Sequence, residues 1–511
     1  MPDRFTKKWI AIIVIMMTNG MLWLDATILP VALPTIQSYF HSTNVQLQWM
    51  IDTYLVALPI FVVMAGKMGD VHGHRKILSF GIILFALSSL FCGLSQTSFH
   101  LIAFRFFQGL GAAMMVPSST GILFQNTPEK NRGAILGLIA FANSFFMAMG
   151  PLVGGFITHY FSWHYIFFVN VPFSLIALFF TLRFLPRSPT IREPIDVLGF
   201  LSYGLSLICL TIAIMEGRGW GFASLPVISL FFFFFLFLAI LYYVDRKAKD
   251  PFISFSLFKI TPFLSGLLIT FFVSLARGMF IFWPIYFQDV LSLSPLASGA
   301  LTSASGILNM AAAPFVGKIA DKYGSKKPVL IGQTIIILSF FWISYSMFQM
   351  NLYLLYPALA AIGLGIILTM VPAYTCAMNS VPAPKRGQGA GLISTFRETG
   401  NSLGVAILGS IIVNLHIDRF SSELSQNSDT RSLNPAQFEG LFSKSPATLD
   451  AISEMPSQMQ ETVTEAFRLS YAFAISLTNL VSGLFIIISM IIAIFLFKYK
   501  RKQESQYLLE P

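Results

Sequence analysis

Long apolar runs separated by short polar clusters set the rhythm of this 511-residue chain. About fourteen runs of some 20 apolar residues recur, each long enough to cross a ~30 Å hydrocarbon layer as a helix. They fall roughly at 9–33, 47–66, 76–95, 99–123, 133–157, 164–185 and 196–216, then at 222–244, 262–287, 296–316, 328–347, 352–376, 388–413 and 469–497. The pattern predicts an all-α polytopic membrane protein. One interruption is much longer than the rest, from Leu415 to Arg468, with eight acids against four Lys/Arg. It predicts a solvated loop with a short amphipathic helix near Pro456–Phe467, and makes 414–468 a candidate for substrate access or partner contact.

Composition agrees: 55% of residues are hydrophobic and 11% charged, where a soluble chain carries about 25% charged residues. Placing both termini in the cytoplasm puts 25 of the 33 Lys/Arg on the inner side. Only Arg218, Arg419, Arg431, Lys444 and Arg468 fall outside, and Arg105, Arg277 and Arg397 lie within spans. Loop after loop meets the positive-inside rule, which supports an even number of spans in a plasma (inner) membrane. The net charge of +10 therefore serves topology and anionic lipids, not nucleic acid. The run Trp9–Leu33 is too long for a cleaved signal peptide and reads as the first span. Cys92, Cys209 and Cys376 sit inside apolar runs without metal-ligand spacing and read as inert thiols. No catalytic or metal constellation stands out, so no enzyme, metal or cofactor is expected. No G-x-x-x-x-G-K-[ST] loop occurs, which disfavours an ATP-driven pump and leaves an ion gradient as energy source.

The polar clusters repeat. Gly66–Lys76 (GKMGDVHGHRK) returns as Gly317–Lys327 (GKIADKYGSKK) at an offset of 251 residues, and Arg132-Gly133 returns as Arg386-Gly387 at an offset of 254. Two related halves follow. Removing the seventh and eighth spans leaves two aligned six-helix sets. The division is thus an N-terminal bundle over 1–186, an inserted two-helix hairpin with its linkers over 187–256, and a C-terminal bundle over 257–511. The hairpin is expected outside the transport path. In the repeated loops Gly66, Gly73, Gly317 and Gly324 permit close approach and sharp turns. Asp70, Arg75 and Asp321 supply charge for a latch that engages in one conformational state.

Gly66–Lys76 resembles the cytoplasmic loop signature of the major facilitator superfamily. Arg105-Phe-Phe-Gln-Gly-Leu-Gly-Ala-Ala113 is similar to its fourth-helix motif, and Gly150-Pro-Leu-Val-Gly-Gly155 to its fifth-helix antiporter motif. Gly137 fits that motif's first glycine, while Phe146 stands where another is usual. Leu24-Asp-Ala-Thr-Ile-Leu-Pro-Val-Ala-Leu-Pro34 resembles the first-helix motif of the 14-span drug:proton antiporter group, with Pro30 in place of the usual asparagine. Trp163 and Asn170-Val-Pro172 also suit that group. The resemblance implies a major facilitator fold of two six-helix bundles plus an inserted hairpin. It further implies that the bend at Gly150, Pro151, Gly154 and Gly155 shapes the direction of transport. Some 14-span relatives work with a periplasmic adaptor, a candidate partner for the outer loop.

Charges inside spans are costly unless paired or functional. Asp25, Arg105 and Asp52 lie at similar depth in the first bundle, Asp25 about 12 Å below the outer end at 1.5 Å per residue, so they are expected to form an ion-pair network. The alternative to pure structure is that Asp25 exchanges a proton and a cationic substrate while Arg105 tunes it. The second half has no base equivalent to Arg105. Arg397 and Glu398, neighbours on one helix, point about 100° apart, which predicts separate partners. Arg397 matches a basic position common in the drug-exporter group, and Glu398 is a candidate second coupling carboxylate. Arg277 has no assigned partner, and Glu216 reads as interfacial. Asn19, Asn143 and Asn309 either line a cavity or bridge helices, and Gly400, Gly404 and Gly409 allow close packing. Together these imply a proton-driven exporter of lipophilic, cationic or aromatic compounds working by alternating access. A dedicated exporter of a lipid, siderophore or metabolite, and a non-transporting receptor, are the competing readings.

Overall fold

The computed structural model describes residues 4–126, 129–185, 190, 196–248, 251, 253, 255–382, 386–426, 450 and 452–497. Among them fourteen helices are long and apolar enough to cross a membrane. The first six are α1 (Arg4–Phe40), α2 (Asn44–His72), α3 (His74–Gly93), α4 (Ser98–Asn126), α5 (Glu129–Tyr160) and α6 (Tyr165–Phe184). α7 (Val197–Trp220) and α8 (Leu225–Lys247) form a hairpin. The last six are α9 (Thr261–Asp289), α10 (Pro295–Tyr323), α11 (Lys326–Phe348), α12 (Leu352–Ser380), α13 (Arg386–Gln426) and α14 (Ser457–Phe495). Helices are the only way for a lone segment to satisfy its backbone in lipid, and α1 continues through Pro30 and Pro34 without a break.

The two six-helix sets meet along two seams, α5 on α10 and α2 on α13, with α1 touching the last part of α9. Both seams are tight at the end holding the α1–α2 and α5–α6 turns, called here the distal end. A Cβ on Gly155 would stand 2.5 Å from the Pro295 carbonyl, and one on Gly306 would stand 2.6 Å from the Ala148 Cα. Farther along α10, Phe315 is 61% exposed and, among the described residues, nothing stands within 4 Å of a Cβ on Gly317. The opposite, proximal end holds the two repeated turns.

Those turns are built alike. Gly73 (φ 94°) and Gly324 (φ 77°) both adopt backbone that L side chains avoid. Arg75 donates to the Leu182 carbonyl at the end of α6, and Lys326, 251 residues later, donates to the Ile494 carbonyl at the end of α14 at 2.7 Å. Each base thus caps the last helix of its own bundle.

The outer polar segment is helical at its two ends, and residues 427–449 between them lie outside the described residues. α13 runs on to Gln426 and α14 starts at Ser457, so the amphipathic helix near Pro456–Phe467 is the opening of α14 itself. Phe420 and Leu424 pack against Val463 and Ala466 as a small separate core. Apolar-run length misses such extensions because each keeps one polar face.

Candidate functional site

Within the first bundle a polar cluster surrounds Asp25, which is 1% exposed. Its Oδ2 accepts from Arg105 Nη1 at 2.7 Å. Its Oδ1 accepts from Gln108 Nε2 at 2.9 Å and Asn170 Nδ2 at 2.8 Å. Arg105, also 1% exposed, donates through Nε to the Met50 carbonyl at 3.2 Å and again to Gln108 Oε1 at 2.8 Å. The Tyr54 ring covers its guanidinium at 4.3 Å, and Ser89 accepts from both amides at 3.2 Å. The carboxylate so joins α1 to α4 and α6, and its partners extend the cluster to α2 through Met50 and to α3 through Ser89. A buried pair persists only when its own charged atoms are hydrogen-bonded in this way; the Asn170 Oδ1 beside it is buried without a partner.

Asp52 does not join this network. It is buried in the α2–α13 seam, where Ser402 donates to its Oδ1 at 3.0 Å across the two bundles. Neighbouring helix positions hid this partner, which lies 350 residues away.

Half-buried Trp23 and Met147 of the first bundle meet half-buried Arg277, Arg397 and Glu398 of the second where α1 and α5 face α9 and α13, the region called here the cleft. Glu398 accepts from Arg397 Nε at 2.8 Å and from Asn401 Nδ2 at 3.2 Å, with the two charged side chains 13% and 28% exposed. The neighbours therefore pair with each other, against the expectation of separate partners. Two flexible side chains bridge a 100° offset that rigid ones could not. Arg277 comes from the break in α9, where the helix gives way to the 3-10 turn Gly278–Ile281. Gly278, Gly400 and Gly404 let α9 and α13 touch backbone to backbone, which brings Arg277 within electrostatic range of Glu398 and Arg397. Its guanidinium crosses to the first bundle, 3.8 Å from Met147 Sδ and 5.9 Å from the centre of the Trp23 ring.

The fifth-helix motif divides its labour. Cβ atoms on Gly150 and Gly154 would overlap Thr27 and the Ile28 carbonyl of α1, whereas Gly155 and the Pro151 carbonyl meet Pro295 and Gly299 of α10. Phe146, the departure from the motif, fills the space left by Gly20 on α1. In the proximal turns Asp70 Oδ1 pairs with His74 Nε2 at 3.0 Å, and the His74 ring wedges between Gly69 and Gly121. Gly66 faces Pro117. The side chains of Asp321, Arg132 and Arg386 lie outside the described residues, as do the surroundings of Gly137. Asn309 bridges Ser144 and the Gly363 carbonyl, and Glu216 accepts from Trp49 Nε1 at 2.9 Å.

The profile of the Major Facilitator Superfamily matches residues 10–405. The chain belongs to this superfamily. Among its relatives, Multidrug resistance protein Stp of Mycobacterium tuberculosis is 29% identical over 77% of this chain and 73% of its own length. The Tetracenomycin C resistance and export protein of Streptomyces glaucescens is 27% identical over 96% of this chain and 91% of its own. Among solved structures, an inward-facing, unoccupied bacterial homologue of the human lysosomal transporter Spinster superposes with a TM-score of 0.62 at 15% identity. It covers 96% of this chain and 98% of that one. A major facilitator transporter, not an enzyme, fits every one of these findings, and its fold is the expected pair of bundles with an inserted hairpin. Gln108, Trp23, Tyr54 and Ser402 were not singled out from sequence. Their signal was available only in part: Gln108 stands one helical turn after Arg105, on the same face.

Proposed function

We propose that this chain is a proton-driven exporter of lipophilic aromatic compounds in a plasma membrane, with both termini cytoplasmic and the distal end outside. The observation that carries this reading is the sealed Asp25–Arg105 cluster on the helix that also presents Trp23 to the cleft. Because Asp25 does not line the cleft, substrate and proton do not compete for one carboxylate in this conformation. A proton on Asp25 would cancel its attraction for Arg105, freeing α1 from α4 and α6. Movement of α1 would then reposition Trp23 and loosen the distal closure, where Gln288 donates to the Val31 carbonyl at 2.7 Å. Glu398, with Arg397, sits where substrate would bind and serves as the second candidate for coupling. The name of one relative, the Tetracenomycin C resistance and export protein, supports export as the direction of transport.

The test is reconstitution of the full chain in liposomes with an imposed pH gradient, reading movement of a panel of lipophilic dyes. Wild type is expected to move dye only with the gradient, and Asp25→Asn to move none against it. Gradient-independent movement by wild type, or gradient-driven movement by Asp25→Asn at the wild-type rate, would refute the coupling.

A further inference from the structure

The charges facing the cleft do not balance. Two guanidiniums, Arg277 and Arg397, meet one carboxylate, Glu398. That carboxylate is already taken by Arg397 and Asn401, while Asp25 and Arg105 neutralise each other away from the cleft. Among the described residues no carboxylate pairs with Arg277, whose neighbours are a thioether and an indole face. A fixed cation at mid-span is expensive without a counter-charge.

We infer that the cleft selects lipophilic substrates carrying a negative group, with Arg277 as the residue that binds it. This deepens the exporter reading above and rests on it, and it departs from the sequence expectation of cations. Arg277 is suited to the task. It ends the helical segment Thr261–Arg277, where the carbonyl ends of the helix stabilise a cation. Its guanidinium offers planar donors that match a carboxylate, sulfonate or phenolate. The Trp23 ring and Met147 beside it supply apolar surface for an aromatic body. Arg277 reaches from the second bundle to residues of the first, so an anion bound there would touch both moving parts. A cation in the same place would meet two guanidiniums, with Glu398 already occupied and Asp52 sealed in the α2–α13 seam on Ser402.

Two xanthene dyes of one ring system separate the cases: fluorescein, an anion, and rhodamine 123, a cation. Binding to the full chain in neutral-lipid nanodiscs is read by fluorescence polarisation, and transport in the liposome assay. Wild type is expected to bind fluorescein at least tenfold more tightly than rhodamine 123. Arg277→Gln should erase most of that ratio, Arg277→Lys should keep part of it, and Glu398→Gln should raise it. Equal or tighter binding of rhodamine 123, or a ratio unmoved by Arg277→Gln in protein that stays monodisperse, overturns the inference. Gradient-driven transport of rhodamine 123 alone would do so while leaving the exporter reading intact. Failure to bind or move either dye would defeat both.

Discussion

Asp25 and Arg105 hold the first bundle together through a pair that neither partner can leave alone. Arg105→Ala would strand a buried carboxylate, and a loss of about 3–5 kcal/mol is expected. Replacing both, as Asp25→Leu with Arg105→Leu, should recover part of that stability while transport stays absent, because an apolar pair removes the stranded charge but leaves the Gln108 and Asn170 amides without their acceptor. Thermal unfolding in detergent checks both variants, and a double mutant no more stable than Arg105→Ala would show that the loss comes from lost packing instead. At this scale the sequence was readable where a charge broke an apolar run. Asp25, Arg105, Arg277, Arg397 and Glu398 stood out for that reason, and the first two do pair. Gln108, Asn170 and Ser89 complete the cluster; Gln108 and Asn170 stand inside stretches that resemble family motifs, but amides and hydroxyls are ordinary helix-packing residues, and nothing in their pattern ties them to Asp25. Arg397 and Glu398 meet although their helix positions diverge by about 100°, because side-chain reach and not backbone angle decides the contact.

Between helices, shape carries more than charge. α5 and α10 approach until a Cβ on Gly299 would overlap the Pro151 carbonyl. Gly299→Val should therefore keep the distal seam from closing while each bundle still folds. The expected result is transport lowered at least tenfold at unchanged expression, with wider spacing between spin labels on the distal ends of α5 and α10. Unchanged spacing would mean that the helices can slide past the added methyls. The α13–α14 extension is a different kind of element, held by Phe420, Leu424, Val463 and Ala466 outside the main core. Phe420→Ala should cost about 3 kcal/mol locally, seen as faster hydrogen exchange over 417–424 and 458–466 but not in the bundles. This extension was half legible. Phe420 and Leu424 are one turn apart, as are Val463 and Phe467, and that spacing marks a helix face. Counting only apolar runs overlooked it, whereas the fourteen spans themselves needed no other signal.

Across the whole molecule the hairpin α7–α8 occupies a position that its inserted place in the sequence does not explain. α8 turns most of its surface outward, with Phe232 and Phe235 exposed, as a lipid-facing helix would. α7 instead lies over the α2–α13 seam. Glu216 holds Trp49 of α2 at 2.9 Å, and Tyr203 shares a 2.6 Å hydrogen bond with Thr399 of α13. One helix thus ties both bundles on the side where they must rock against each other. Each bond contributes about 1 kcal/mol, and losing roughly 2 kcal/mol from the distally closed state would shift its population by as much as about 30-fold. The double variant Glu216→Gln with Tyr203→Phe is therefore expected to open the distal end more often. A cysteine at Val413, which lines the small distal cavity of about 40 Å³ between the bundles, should then react several-fold faster with an impermeant maleimide. Phe232→Ala with Phe235→Ala should leave that rate alone, since those rings face away from the seam. Equal labelling in all three would make the hairpin a passenger; faster labelling only in the first would make it a restraint on alternating access.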